Sequence, residues 1–433
     1  MSKNLYLFAG VVALFLFTGL VLTSWNQTLL ILNFALVSSI MALGVNIQWG
    51  YAGLFNTGVM GFAALGGLAV VLVNSRPVPE AWSAGGFGIL AGLALGALTI
   101  ATTIFLRRRM GKGRARSLAT VALLVGGFFL FRAVFDPAVD AVEAINPTIQ
   151  GNLGGLGLPV LLAWPAGGLL AALAAWGIGK TALGLRSDYL AIATLGIAEI
   201  IVAVMKNEDW LARGVKMMDL KERPWPVPYE VSLQQNPRFL ELAANSGFDP
   251  VSASSVVVKL CYMVMILIVL GLLIWLSERA LNSPWGRMMR AIRDNEDAAR
   301  AMGKDVTKKH LHIFILGSAV IGIAGAMLTS MDGILNPGTY QPLRFTFLIW
   351  VMVIVGGSGN NWGALLGGLL VGWLWLIVET LGPMVMGGIT AGMAPGPLKS
   401  HLVDSAQHMR LLTMGIILLL VLRFSPRGLI PEK

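Results

Sequence analysis

Apolar runs close to the ~20 residues needed to cross ~30 Å of hydrocarbon recur from one end of this chain to the other. They lie at about 5–22, 29–45, 58–73, 86–106, 118–135, 158–178, 189–205, 256–276, 311–328, 345–356, 362–378 and 411–422. A chain of 433 residues that is 56% hydrophobic and only 12% charged lacks the polar side chains to cover a water-soluble surface. In lipid every backbone polar group must be satisfied within the protein, which leaves helices for runs of this length. The expectation is an all-α, polytopic transmembrane helix bundle of about 10–12 membrane segments, forming one domain over residues 1–433. The run at 345–356 is short, and the "VGGSGNNWGALLGG" around its end reads either as a re-entrant break or as a tight turn between two spans. The first run follows Lys3, but "LTSWNQ" offers no small-residue cleavage site, so it is read as a retained span.

The net charge of +10 reflects where basic residues sit rather than a nucleic-acid partner. "RRRMGKGRAR", "GKTALGLR", the polar stretch "RAIRDNEDAARAMGKDVTKKH" and the C-terminal "RFSPRGLIPEK" all fall on one side if the runs alternate. The other side receives "DPAVDAVEAINPTIQGN", which has acids and no Lys or Arg, and a long segment at 206–255 in which the two signs nearly cancel. Both termini and the polar stretch are therefore expected in the cytoplasm. The 206–255 segment, with Pro224, Trp225, Pro226 and Pro228, reads as an external cap. A faint echo between "NTGVMGFAALGG" and "GGSGNNWGALLGG" is compatible with paired broken helices or with chance likeness of Gly-rich runs.

Little in the chain carries chemistry. The single cysteine, Cys261, sits in an apolar run, and His310, His312, His401 and His408 lack the spacing of a metal site. "GIGKT" at 177–181 imitates the end of a phosphate-binding loop, but Ala174 stands where the first glycine is required and an apolar span precedes it. Lys180 then reads as an interfacial anchor. A secondary transporter driven by an ion gradient would need a chain of intramembrane carboxylates or histidines, and Glu199 stands nearly alone. A membrane-embedded enzyme would need a paired nucleophile and base, which the sequence does not offer.

The polar stretch at 290–310 is locally well specified. Ser283 followed by Pro284 is a good helix start. Asp294 can cap a second short helix with Asp297 three residues on, and Gly303 can close it in the left-handed conformation. Glu296 precedes Arg300 by four, and Met288, Ile292, Ala299 and Met302 leave a narrow apolar stripe. Two short amphipathic helices result. The small Ala298 and Ala299, flanked by charge, permit close approach of another protein, although a solvated loop with a membrane-surface helix fits the residues equally well.

"DAARAMG" resembles the Glu-Ala-Ala-x-x-x-Gly signature that permease subunits of ATP-binding-cassette importers carry in their cytoplasmic coupling loop, with Asp297 where glutamate is usual. "SPWGRMMRAIRDNEDAARAMGKDVTKKHLHIFILGSAVIGIAGAM", "NIQWGYAGLFNTGVMGFAALGG", "GLRSDYLAIATLGIAEII" and "VMVIVGGSGNNWGALLGG" resemble segments of the high-affinity branched-chain amino-acid permeases. The resemblance weakens over 77–159, 208–253 and 378–408. It implies a bacterial inner-membrane subunit that pairs with a second, related permease, docks two cytoplasmic ATPase subunits and receives substrate from a periplasmic binding protein. The chain itself would then hold no cofactor and catalyse nothing; ATP and magnesium belong to the ATPases. The loop at 279–309 would be the coupling segment, with Arg290, Arg293, Glu296, Asp297, Ala298, Ala299, Arg300 and Gly303 as its contact residues. The resemblance implies branched-chain amino acids as substrate, but closely similar permeases carry urea, short amides and other small polar metabolites, so it fixes the family better than the substrate.

The substrate route is read from polar residues that interrupt the apolar runs. "WGYAGLFNTG" places Tyr51, Asn56 and Thr57 among glycines, which suits either a wet cavity or helix packing through small residues. Glu199 inside a span adds a carboxylate that faces a cavity or bonds a neighbouring helix.

Overall fold

The computed structural model describes residues 2–146, 151–220, 222–393 and 396–432, so that residues 147–150 of the acidic loop lie outside the described residues. The chain begins with α1 (Ser2–Phe17), α2 (Trp25–Ala52) and α3 (Val59–Asn74), followed by a hairpin of α4 (Phe87–Arg109) and α5 (Arg114–Glu143). Next come α6 (Val160–Ala182), α7 (Ser187–Asn207) and α8 (Pro250–Leu281). Two short helices, α9 (Pro284–Asp294) and α10 (Glu296–Ala301), separate α8 from α11 (Val306–Asp332). The chain ends through α12 (Leu348–Gly356), α13 (Asn361–Ile389), α14 (Pro397–Asp404) and α15 (Met409–Phe424). Among the described residues nine helices are long and apolar enough to cross a membrane, two shorter apolar helices at Val59–Asn74 and Leu343–Gly356 stand beside them, and α14 with α15 forms a pair bent by 64°. The chain is an all-α, multi-pass membrane bundle.

Helix ends follow local side-chain chemistry. Asp249 caps α8 by accepting from the Ser252 N–H at 3.1 Å, with Pro250 at the first helical position. Asp305 does the same for α11 from Lys308 at 3.0 Å. Asn360 caps α13, its Oδ1 accepting from the N–H of Trp362 at 3.0 Å and of Gly363 at 3.4 Å.

The centre of the bundle is α2, which is buried over most of its length, whereas α5 is exposed or half-buried over nearly all of its own. Helix α2 packs against α8, α11, α12 and α13, and α11 also packs against α3 and α6. These contacts run through small residues: a Cβ on Gly44 would strike Gly317, one on Gly325 would strike Ala63, and one on Gly372 would meet Ala35. Lipid supplies no hydrophobic driving force between helices, so close backbone approach of this kind carries the packing. The α4–α5 hairpin packs chiefly on itself. Its outer end is tied down where Trp82 Nε1 donates to the Leu153 carbonyl at 3.0 Å and the Trp210 N–H donates to Glu143 at 3.2 Å.

The Gly-rich segment after α12 is a tight turn between two closely packed antiparallel helices. Gly356 lies against the Gly363 carbonyl, and Gly367 lies against the Met352 carbonyl. Side chains there would hold the two helices apart. On the opposite end, the segment after α7 contains short helices at Asp209–Ala212, Glu230–Gln234 and Pro237–Asn245. It joins the bundle through a two-stranded antiparallel ribbon, β1 (Met218–Asp219) on β2 (Ile334–Leu335), with Met218 opposite Leu335. Both chain ends lie at the α9–α10 end: Asn4 and Glu432 line one cavity with Arg290 of α9.

Candidate functional site: the α9–α10 segment and the α2–α3 break

Pro284 stands at the first position of α9, but the Ser283 hydroxyl does not cap it; Ser283 Oγ donates to the Ala280 carbonyl at 2.6 Å. Helix α10 is capped by Asn295 rather than by Asp294. Asn295 Oδ1 accepts from the Ala298 N–H at 2.9 Å, while Asp294 closes α9 and accepts from Arg293 Nε at 3.1 Å. The cap falls on the residue that leaves helical geometry, and Asn295 is extended at φ −155°, ψ 98°. Gly303 adopts φ 76°, and the following Lys304 N–H returns to the Ala299 carbonyl at 3.2 Å. Arg300 Nη2 bonds Glu296 Oε1 at 2.5 Å, the i,i+4 pair the spacing predicts.

The expected apolar stripe does not run through both helices. Gly286, Met289 and Ile292 are buried, whereas Met302 is 80% exposed. Extended Asn295 breaks the helix, so the 3.6-residue period of α9 does not carry into α10. Glu296, Asp297, Ala298, Arg300 and Gly303 are exposed, and Ala299 is half-buried.

Arg290 and Arg293 turn the other way. Arg290 lines a cavity of ≈ 280 Å³ with Tyr51, Glu278, Asn282, Asn360 and Glu432. Arg293 donates from Nη1 to Glu432 Oε2 at 2.9 Å and from Nη2 to Glu432 Oε1 at 3.2 Å, a two-pronged fork. Its Nη1 also donates to the carbonyl of Gly50 in the last turn of α2. A cation there answers an unpaired helix-end carbonyl and the negative end of the helix dipole. Burial opposes the charge on Arg293, but the hydrogen bonds and attraction from Glu432, with Asp294 adding, hold its pKa above the ordinary guanidinium value.

Immediately inside this anchor α2 stops. Gly53, at φ 70°, ends the helix, and Leu54 N–H returns to the Gln48 carbonyl at 3.1 Å. The non-helical backbone that follows is met by side chains from other elements. Trp350 Nε1 donates to the Asn56 carbonyl at 2.9 Å, and Thr346 Oγ1 donates to the Thr57 carbonyl at 3.1 Å. The Thr57 N–H donates to Thr194 Oγ1 at 3.2 Å, and Thr57 Oγ1 donates to the Ala191 carbonyl at 2.5 Å. Gln48 Nε2 donates to the Phe314 carbonyl at 2.9 Å and to Ser318 Oγ at 3.0 Å. A second chain of amides lies beside it: Gly359 N–H to Asn46 Oδ1 at 2.9 Å, Asn46 Nδ2 to Asn361 Oδ1 at 3.2 Å, and Asn361 Nδ2 to Glu278 Oε1 at 3.0 Å. Broken backbone in a membrane protein is tolerated where protein satisfies it in this way.

The structure holds Asn56 and Thr57 in adjacent sets of hydrogen bonds, Asn56 with Gln48 and Thr57 with Thr194 and Ala191, and places Tyr51 on the neighbouring cavity with Arg290. It does not bring Glu199 to them. Glu199 is exposed on the outer side of α7, about 18 Å along the helix from Ser187. Sequence reasoning missed Gln48, Asn46, Asn361, Trp350, Thr194 and Glu432. Two amides, Asn46 and Gln48, within a long helix next to a Gly-rich break were the available signal.

The chain matches the family described as "Branched-chain amino acid transport system / permease component" over residues 27–138 and 110–422. The probable branched-chain amino acid transport permease protein LivM of Methanocaldococcus jannaschii is 28% identical over 335 residues, 74% of this chain and 85% of that protein. The high-affinity branched-chain amino acid transport system permease protein LivM of Escherichia coli is 26% identical over 347 residues, 78% of this chain and 70% of that one. The fructose import permease protein FrcC of Rhizobium meliloti is 29% identical over 130 residues, 29% of this chain and 34% of that one. No solved structure matches. The helix bundle and these matches lead to one conclusion: the chain belongs to the permease-component family of branched-chain amino acid transport systems, the membrane subunits of ABC-type importers.

Proposed function

We propose that this chain carries branched-chain, hydrophobic amino acids inward across the cytoplasmic membrane, with α9 and α10 as the coupling segment on which ATPase subunits dock. A second, related permease would complete the translocation path, and an external binding protein would deliver substrate. The observation that carries this reading is the division of labour within residues 284–303. Helix α9 is fastened inward by Met289, Ile292 and Arg293, while α10 presents Glu296, Asp297, Ala298 and Arg300 outward, at the end of the bundle where both termini lie. A ligand-driven motion needs differential contacts at such a handle and a rigid link behind it. The family match supports the substrate class, because both LivM relatives are named for branched-chain amino acid transport.

The test is uptake of radiolabelled leucine into proteoliposomes holding the chain with its companion permease, ATPases and binding protein. Uptake should require ATP on the ATPase side and binding protein on the other. Uptake by the chain alone under an imposed ion gradient would overturn the reading.

A further inference from the structure

The end of the chain is stitched to the α12–α13 turn and to α9 at the same time. After α15, Ser425 and Gly428 form a turn, with the Gly428 N–H donating to the Ser425 carbonyl at 2.8 Å. The Leu429 N–H then donates to the Val355 carbonyl at 3.0 Å and the Ile430 N–H to the Gly356 carbonyl at 2.9 Å. These are carbonyls of the last turn of α12, which have no partner within their own helix. Ile430 is 3% exposed, and Asn360 Nδ2 reaches the Pro431 carbonyl at 3.2 Å. Two residues after Ile430, Glu432 meets Arg293 through both carboxylate oxygens, with side-chain exposures of 29% and 23%. Arg293 in turn holds Gly50 at the end of α2.

We propose that Glu432 is a positioning residue for coupling: it makes α9, the end of α2 and the α12–α13 turn move as one body, so that a displacement of α9 reaches the α2–α3 break and the α12–α13 turn together. The proposal rests on the reading that ATPases dock on α9 and α10. Without Glu432, Arg293 would still hold Gly50, but the α12–α13 turn would lose its charged tie to α9. The fork geometry matters because a carboxylate accepting two parallel N–H bonds fixes orientation as well as distance.

The experiment uses the full complex in proteoliposomes, with leucine as the probe, and compares wild type with Glu432→Gln and Glu432→Asp. For Glu432→Gln, ATPase subunits should co-purify at wild-type stoichiometry while leucine carried per ATP hydrolysed falls about tenfold. Glu432→Asp, which keeps the charge, should recover most of that ratio. A wild-type ratio in Glu432→Gln, or an equal loss in both variants, overturns the proposal. A second readout is independent of substrate: spin labels at Arg287→Cys and Ser358→Cys, in a Cys261→Ser background, should keep one separation with and without ATP in wild type. In Glu432→Gln that separation should change with nucleotide; identical behaviour in both would overturn the proposal. Failure of ATPases to bind even wild type would instead overturn the docking assignment on α9 and α10.

Discussion

Asn56 Nδ2 donates to Gln48 Oε1 at 2.8 Å, joining the break after α2 back onto the helix that precedes it. Both side chains are fully buried, and each has further bonds: Gln48 to α11, and Asn56 Oδ1 to the Gly58 N–H at 2.9 Å. The break is thus held from inside the bundle and not by solvent.

Asn56→Ala should therefore be destabilising out of proportion to its size. It leaves Gln48 Oε1 and the Gly58 N–H without these partners in a buried place, at a cost of about 1–3 kcal/mol for each unsatisfied group. Thermal unfolding of the detergent-solubilised protein should show a lower midpoint for Asn56→Ala than for Thr57→Ala, because Thr57 is only half-buried.

Gly367→Ala should abolish folded protein, while Gly387→Ala should be neutral. A Cβ on Gly367 would enter the Met352 carbonyl and the Gly356 backbone, atoms that cannot move aside, whereas nothing lies within 4 Å of one on Gly387. Overpacking costs about 1–3 kcal/mol where side chains can shift, and more against backbone. The yield of monodisperse protein after size-exclusion chromatography is the readout.

Gly303 separates backbone strain from steric conflict. It sits at φ 76°, and nothing lies within 4 Å of the point a Cβ would occupy, so the first side-chain atom of Gly303→Leu meets no clash inside this chain. The left-handed conformation alone costs a non-glycine residue about 1 kcal/mol, and less for asparagine. Gly303→Leu should insert normally yet fail to retain ATPase subunits on co-purification, with Gly303→Asn intermediate. Retention by Gly303→Leu at wild-type level would count against docking at α10.

Arg300→Ala should leave stability within about 0.5 kcal/mol, since its pair with Glu296 is exposed and screened. ATPase affinity should nevertheless fall, and fall less at high salt. Titration of purified ATPase against the permease at two ionic strengths measures both effects.

Glu199→Leu removes a carboxylate from the exposed side of a spanning helix. Insertion of α7 as an isolated segment should become more favourable by about 2–3 kcal/mol. Leucine uptake should be unchanged, because the structure keeps Glu199 apart from Asn56, Thr57 and Tyr51; a fall in uptake would return it to the substrate path.

What the sequence determined by itself was a set of strong local patterns, although the cap of α10 fell on Asn295 rather than Asp294 and Ser283 left α9 uncapped. Apolar run length specified the multi-pass helix bundle, since about 20 residues of helix match the thickness of hydrocarbon whatever the neighbours are. Gly303 was legible because only glycine adopts φ 76° cheaply, and the Glu296–Arg300 pair because four residues return a helix to the same face. Tertiary structure decided which way these features point. Arg290 and Arg293 have the same charge and spacing as solvated residues in the sequence, yet both face inward, because Glu432, 139 residues beyond Arg293, folds back beside it. Glu199, Asn56 and Tyr51 looked alike as polar residues within or beside apolar runs, and packing sent one outward, one into a sealed amide network and one onto a cavity. Long-range pairing of polar groups is a property of how helices meet, and no periodicity within a single helix encodes it.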